Sequence, residues 1–100
     1  MDIKINEQKL KLSDRLRQKI TNKFNNLEKY LRHYQKDLKV ASLSIEKIAR
    51  SGFQIKFDMN LPGLPVNIKD THRVLIDGVV RVRNKAKRQV KKYLEKLHQY

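Results

Sequence analysis

The chain has 100 residues, enough for one domain with a single modest core, and its 24 Lys and Arg against 10 Asp and Glu give a formal net charge of +14. The sequence contains no cysteine, which excludes disulfides and cysteine-ligated metals. It has neither a signal-peptide-like apolar run at its N-terminus nor a stretch of roughly 18 apolar residues, so we expect a cytoplasmic protein. Because so large a positive charge repels itself, it favours a polyanionic partner, with nucleic acid first and an anionic membrane surface second.

The first third of the chain predicts a strand followed by a long helix. Ile3 and Ile5 alternate with polar residues over residues 1–6, which indicates a short strand. Ser13 stands where a helix N-cap is expected. The apolar residues after it recur every three or four positions and predict one amphipathic helix of about five turns; they are Leu16, Ile20, Phe24, Leu27 and Leu31.

Three further strands are predicted in the middle of the chain. Residues 38–46 form the first, in which a bulge near Ala41 would reconcile apolar residues of two parities. Residues 53–61 alternate without a fault between apolar and polar, which is typical of a strand with one buried face. A turn at 61–65, marked by proline and glycine, leads to a fourth strand containing Val66 and Ile68, so residues 53–70 form a hairpin.

The last predicted helix starts with Asp70 or Thr71 as its cap and runs to about His98. Gly78 is a weak point within it, because glycine costs a helix roughly 1 kcal/mol relative to alanine. One row of this helix is apolar and comprises Leu75, Val79, Val82, Ala86, Val90, Tyr93 and Leu97. A second row is cationic and comprises Arg81, Lys85, Arg88, Lys92 and Lys96. At about 100° per residue we expect the two rows on roughly opposite sides of the helix.

These elements predict an α+β fold of order βαβββα, with two helices packed on one face of a four-stranded sheet. This order is also similar to that of double-stranded-RNA-binding domains, which read the shape of RNA. Residues 71–100 carry nine Lys and Arg against two acids, and residues 13–32 carry six against two. The predicted fold therefore places 11 of the 14 net charges in its two helices, on one side of the sheet.

The sequence offers no arrangement typical of an enzyme, a cofactor site or a metal site. Its three histidines, His33, His72 and His98, lack partners at metal-ligand spacing and have polar neighbours. Its three glycines do not form a phosphate-binding loop. We therefore predict no catalysis, no cofactor, no bound metal and no small-molecule substrate.

The cationic row of the last helix favours binding over simple solvation, because no acid occurs between Arg81 and Lys92 and a face of one sign repels itself. We interpret the aromatic residues on or beside the apolar rows as core and not as base-stacking platforms; they are Phe24, Tyr30, Phe53, Phe57 and Tyr93. The predicted mode of binding is thus contact of two basic helices with the phosphates of structured RNA, with little base readout.

Two motifs resemble those of a known family. Residues 16–30, LRQKITNKFNNLEKY, resemble the first helix of the ribosome hibernation promoting factors, also called the sigma-54 modulation or ribosome-associated inhibitor family. Residues 84–97, NKAKRQVKKYLEKL, resemble the second helix of that family, and the Asn60–Gly63 turn also fits. The resemblance covers essentially the whole chain. It departs at 74–80, where the family usually has a tyrosine-containing run and this chain has VLIDGVV.

The resemblance implies a factor that occupies the messenger and transfer RNA channel of the small ribosomal subunit and silences translation in stationary phase or stress. The implied partner is the small subunit with its 16S-type rRNA. By position, the resemblance assigns rRNA binding to Arg17, Lys23, Lys29, Lys85, Arg88 and Lys92. The charge pattern adds Arg81 and Lys91 to these candidates.

The chain ends at the second helix, so it resembles the short type of the family, a single ribosome-binding domain over residues 1–100 without a C-terminal dimerisation domain. Short members are associated with ribosome dimers formed together with a small modulation factor. Two alternatives stay open at this point: a generic double-stranded RNA or DNA binder, and a regulatory module that binds acidic proteins.

Overall fold

The computed structural model describes residues 2–31, 40–50, 52–61 and 64–97. Its elements are β1 (Asp2–Gln8), α1 (Asp14–Lys23), α2 (Asn25–Leu31), β2 (Val40–Ile48), β3 (Gly52–Leu61), β4 (Leu64–His72) and α3 (Leu75–Leu97). The four strands form one sheet in sequence order, in which β1 is parallel to β2 and the other neighbours are antiparallel. The predicted α+β class is therefore confirmed, while the similarity to double-stranded-RNA-binding domains stays a prediction.

The core lies between one face of the sheet and the helices. α3 packs over β3 and β4, and α1 and α2 pack beside α3. The buried residues of β2 and β3 alternate along each strand, and Phe57 of β3 stacks on Phe24 with ring centroids 5.1 Å apart. The other face of the sheet is polar and carries both signs of charge, including Lys4, Lys56 and Asp58. The basic helices and this mixed face thus lie on opposite sides of the molecule.

The predicted five-turn helix is divided at Phe24. α1 begins as expected, because the backbone N–H of Leu16 donates to the Ser13 hydroxyl oxygen at 3.1 Å. At its end the Phe24 N–H donates to the carbonyl of Thr21, and the Leu27 N–H donates to the carbonyl of Phe24. These bonds span three residues instead of four, so the turn tightens and the axis is interrupted. The apolar spacing is unchanged across the break, and periodicity alone therefore did not reveal it.

The predicted bulge near Ala41 was wrong. β2 has no bulge at Ala41, because its pairing with β3 is unbroken from Ala41–Met59 to Ile48–Gly52. Ala41 itself occupies the buried face, and Val40 points outward with half of its surface exposed. The predicted strand start at Leu38, the centre of the turn at 62–63 and the predicted helix end at His98 lie outside the described residues.

α3 is not capped by Asp70 or Thr71. Both residues belong to β4, whose pairing with β3 continues to the pair Phe53–His72, and the helix begins only at Leu75. The strand pairing therefore outweighs the local preference of Asp and Thr for a helix start. Near the helix start the Gly78 N–H donates to the carbonyl of Val74 at 3.0 Å, and the Val74 N–H donates to Nδ1 of His72 at 2.9 Å.

Gly78 is a packing requirement more than a weak point. A Cβ atom at this position would lie 2.6 Å from Cδ1 of Ile55 and 2.9 Å from Cβ of His72. Ile55 is fully buried in β3, so the methyl group has little room to move. The absence of a side chain at Gly78 lets the first turn of α3 approach the sheet closely.

We predict that Gly78→Ala lowers stability even though alanine is the better helix former. The gain in helix propensity is roughly 1 kcal/mol, whereas overpacking costs about 1–3 kcal/mol. Thermal unfolding should show a lower Tm for Gly78→Ala. Asn84→Ala, at an exposed position of the same helix, serves as the control and should keep or raise the Tm. An unchanged or higher Tm for Gly78→Ala would contradict the close approach.

Candidate nucleic-acid interface

The cationic row of α3 lies on the flank of the helix that faces the outer edge of β4. Arg81 and Lys85 both contact Asp70 of β4. The centre of the cationic row lies about 120° from the centre of the apolar row at 100° per residue. The expectation of roughly opposite sides was therefore too simple: with the apolar row buried against the sheet, a row offset by this angle lies towards the β4 edge, where Arg81 and Lys85 reach Asp70.

Asp70 holds two of these cations in place. Its Oδ2 accepts a hydrogen bond from Nζ of Lys85 at 3.1 Å and lies 3.2 Å from Nε of Arg81. Its Oδ1 accepts the N–H of Thr71 at 2.8 Å. Burial acts to raise the pKa of the Asp70 carboxyl, but the hydrogen bonds from Lys85 and Thr71 and the nearby positive charges lower the pKa by more. The side chain is only 12% exposed, so Asp70 anchors the row from beneath.

Lys85, Arg88 and Lys92 line a groove of about 400 Å³ between α3 and β4. Lys69 of the edge strand β4 also borders this groove, which we name the β4–α3 groove, although by strand register its side chain shares the outer face of the sheet with Lys56. Lys69 was not among the candidates, because its strand position alone gave no reason to place it beside the helix.

A second group of cations lies on the opposite flank of α3, beside α2. The amines of Lys87 and Lys91 lie 5.9 Å and 5.5 Å from the centroid of the Tyr30 ring. Both distances are within the range of cation–π attraction. Tyr30 is half-buried, so the interpretation of this residue as core is incomplete, since its ring also supports two lysines. Lys87 was missed as a candidate because the Tyr30 contact joins residues far apart in the sequence.

The candidates in the first helical segment are spread over different flanks. Arg17 forms an ion pair with Glu7 of β1, which places it at the β1 edge of the sheet. Lys23 is six residues later, about 240° further around the helix, and therefore on the other side of the buried row. Lys29 in α2 is exposed.

The structure therefore brings together Arg81, Lys85, Arg88 and Lys92, and it places Lys91 with Lys87 on the far flank of the same helix. Arg17 lies at the opposite edge of the molecule from the β4–α3 groove. The eight candidates thus form separate cationic areas on one side of the molecule.

The described part of the chain contains no cluster of three or more metal-ligating side chains. Nδ1 of His72 accepts a backbone N–H near the start of α3, and His33 and His98 lie outside the described residues. Among the described residues, no helix is long and apolar enough to cross a membrane.

A family model described as sigma 54 modulation protein / S30EA ribosomal protein matches residues 3–98. The chain belongs to this family. The S30EA family is one of ribosome-associated factors and is not a class of enzymes. The resemblance of the two helix motifs to hibernation factors is therefore confirmed at the level of the family.

Solved structures with the same fold as this chain include the following two. The Protein Y N-terminal domain of Thermus thermophilus superposes with a TM-score of 0.76 at 22% identity, over 93% of this chain and 99% of that domain. A ribosomal subunit interface protein from Coxiella burnetii superposes with a TM-score of 0.70 at 21% identity, over 95% of this chain and 99% of that one. No curated protein sequence matches this chain significantly.

We predict that Asp70→Asn lowers stability at neutral pH by about 1 kcal/mol, because it removes a charge-assisted hydrogen bond and an ion pair. Since the folded-state pKa of Asp70 is lowered, its stabilising effect is present above the unfolded-state pKa and is lost as the pH falls below about 4. Urea unfolding at a series of pH values should show wild type and variant converging in acid. Asp58→Asn, where the nearest lysine amine is 4.0 Å away, is the control and should have a smaller effect. A difference that stays constant down to strong acid would contradict the role of Asp70.

We also predict a measurable coupling between Tyr30 and Lys91. A double-mutant cycle with Tyr30→Leu and Lys91→Gln should give a coupling free energy of about 0.5–1 kcal/mol in urea unfolding. The same cycle with Tyr30→Phe should give little coupling, because the phenylalanine ring still attracts the amine. A coupling near zero for Tyr30→Leu would show that the ring does not hold the lysine.

Proposed function

We propose that this protein is a ribosome hibernation factor that binds the small ribosomal subunit through its basic helices, occupies the messenger and transfer RNA channel, and silences translation in stationary phase or stress. Membership of a ribosome-associated family supports the ribosome as partner and the cytoplasm as location. The Coxiella burnetii protein of the same fold is named as a ribosomal subunit interface protein, which supports a site between the subunits.

The observation that carries the proposal is the cationic surface of α3. Arg81, Lys85, Arg88 and Lys92 follow the β4 flank, and no acid of α3 lies among them. Side chains of this kind position a protein on RNA through phosphate contacts, which release counterions. The proposed rRNA-binding set is Arg17, Lys23, Lys29, Arg81, Lys85, Arg88, Lys91 and Lys92, to which the geometry adds Lys69 and Lys87.

The separate cationic areas favour a large RNA with several backbones over a simple duplex. The β4–α3 groove, the Lys87–Lys91 flank and Arg17 face different directions, so one straight duplex contacts only part of this surface. An rRNA surface with several neighbouring helices supplies phosphates to all of them. This geometry ranks the generic duplex binder below the ribosome. Pairing of ribosomes with a small modulation factor stays a prediction.

The test is the affinity for purified small subunits of the triple variant Lys85→Gln, Arg88→Gln and Lys92→Gln. If six phosphate contacts form, raising salt from about 50 to 200 mM weakens wild-type binding by roughly a thousandfold. The triple variant should bind at least tenfold more weakly at low salt and show a shallower salt dependence.

The matched control removes the same charge elsewhere, with Lys4→Gln, Lys11→Gln and Lys56→Gln at exposed positions outside the helices. This control should bind nearly as wild type. Equal loss of affinity in both triple variants would mean that only net charge matters, and it would contradict the assignment of ribosome binding to the cations of α3. Equal affinity of wild type for subunits and for a plain RNA duplex would instead establish the generic binder.

A further inference from the structure

The β4–α3 groove is bordered on one side by the backbone edge of β4. Asn67, Ile68 and Lys69 are consecutive, and their side chains alternate between the two faces of the sheet, with Ile68 buried towards the helices. All three nevertheless border the groove, so what they share there is their main chain. In the described part of the chain β4 is the last strand of the sheet, with β3 as its only strand neighbour. This edge is therefore open to pairing from outside.

Two observations indicate which main-chain groups of β4 point towards the groove. In an antiparallel pair, every second residue of an edge strand directs its N–H and C=O away from the neighbouring strand. Pro65 has no N–H, and the Thr71 N–H donates to Oδ1 of Asp70 at 2.8 Å and not to β3. Residues 65 and 71 lie an even number of positions from Asn67 and Lys69. The N–H and C=O groups of Asn67 and Lys69 therefore point outward from the sheet edge.

This main-chain pattern suits another strand better than a phosphate. Each outward residue presents a donor and an acceptor side by side, and the pair repeats about every 6.8 Å along the strand. Phosphate oxygens only accept hydrogen bonds, so the C=O groups of Asn67 and Lys69 repel them. An extended peptide offers complementary N–H and C=O groups at the same interval, which is the basis of strand addition at an exposed sheet edge.

The cations of α3 determine the charge of the strand that fits. Lys85 contacts Asp70 of β4, and Lys85, Arg88 and Lys92 line the groove beside residues 67–69, so the cationic row accompanies the edge. Among the described residues, Arg88 and Lys92 form no ion pair. Successive helical turns are about 5.4 Å apart, which is comparable with the spacing of about 6.8 Å between alternate residues of a strand. Alternate acidic residues of an added strand thus meet successive cations.

A second copy of this chain is a poor occupant of the groove. Each copy carries a net charge of +14, so two copies repel one another. Natural sheets also use proline and lysine on an edge strand to prevent pairing of like edges, and β4 carries both in Pro65 and Lys69. The charge that keeps copies apart attracts an acidic strand.

We propose that the edge of β4 binds an extended acidic segment of another protein by strand addition. Asn67 and Lys69 supply the main-chain hydrogen bonds, and the acidic side chains lie on Lys85, Arg88 and Lys92. This inference goes beyond the proposed function. Because the same three cations belong to the proposed rRNA-binding set, the acidic segment and RNA exclude one another, and the segment controls access to the ribosome.

The test uses a fluorescent short peptide in which Glu alternates with Thr, a residue that favours strands. Two further forms of equal charge carry N-methyl groups on either the odd or the even backbone nitrogens, so each form lacks the donors along one edge of the extended peptide. Fluorescence anisotropy at low salt should show binding of the parent peptide, about tenfold weaker binding of one methylated form, and nearly unchanged binding of the other.

Two outcomes of the peptide comparison would overturn the proposal. Equal affinity of all three peptides would mean attraction by charge alone, which any polyanion including RNA would share. Absence of binding by the parent peptide would mean that the edge does not accept a strand.

A substitution in β4 tests the same contact from the side of the protein. Asn67→Pro removes an outward N–H without a change of charge, and proline is tolerated at an edge position whose N–H faces solvent. Asn67→Ala keeps the N–H and is the matched control. Asn67→Pro should bind the parent peptide about tenfold more weakly, whereas Asn67→Ala should bind it as wild type does.

Thermal melts establish whether both variants fold. Wild-type affinity of a folded Asn67→Pro variant would contradict strand addition, and if that variant does not fold, the methylated peptides decide alone. Binding of Asn67→Pro to small subunits reports separately on the proposed function, because all cations of α3 remain in this variant.

Discussion

The packing of the apolar row of α3 against β3 and β4 determines how this protein presents its charge. Val79, Val82, Ala86 and Val90 are fully buried, which fixes the rotation of the helix about its own axis. Gly78 permits the approach that this packing needs. Once the rotation is fixed, every cation of α3 has a defined direction, and the helix offers one cationic flank at β4 and another at Tyr30.

Electrostatic repulsion among the cations of the helices is offset locally by their partners. Asp70 lies under Arg81 and Lys85, the ring of Tyr30 lies under Lys87 and Lys91, and Glu7 pairs with Arg17. None of these partners removes the excess positive charge of the helices. They hold the long side chains in place, which reduces the conformational entropy that binding would otherwise cost.

The sequence was sufficient to predict the helices and strands whose signals are local. Alternation over residues 53–61 and the spacing of the apolar residues in α3 predicted β3, the hairpin and the last helix, and Ser13 marked the start of α1. The break in the first helix at Phe24 was not predicted, because it leaves the apolar spacing intact. Asp70 was misassigned as a helix cap because its true partner, Lys85, is 15 residues away. The contact of Tyr30 with Lys87 is likewise a product of packing and has no local signal.

The central claim is that this protein acts on ribosomes, and a sucrose-gradient profile tests it most directly. Ribosomes of the same kind of cell are sedimented at low salt with and without added protein, and the fractions are probed for the chain. The account predicts that the protein migrates with small subunits or with whole or dimeric ribosomes, and that the triple variant of Lys85, Arg88 and Lys92 does not. Wild-type protein that remains at the top of the gradient would contradict it, and would mean that the chain shares the family fold without acting on ribosomes.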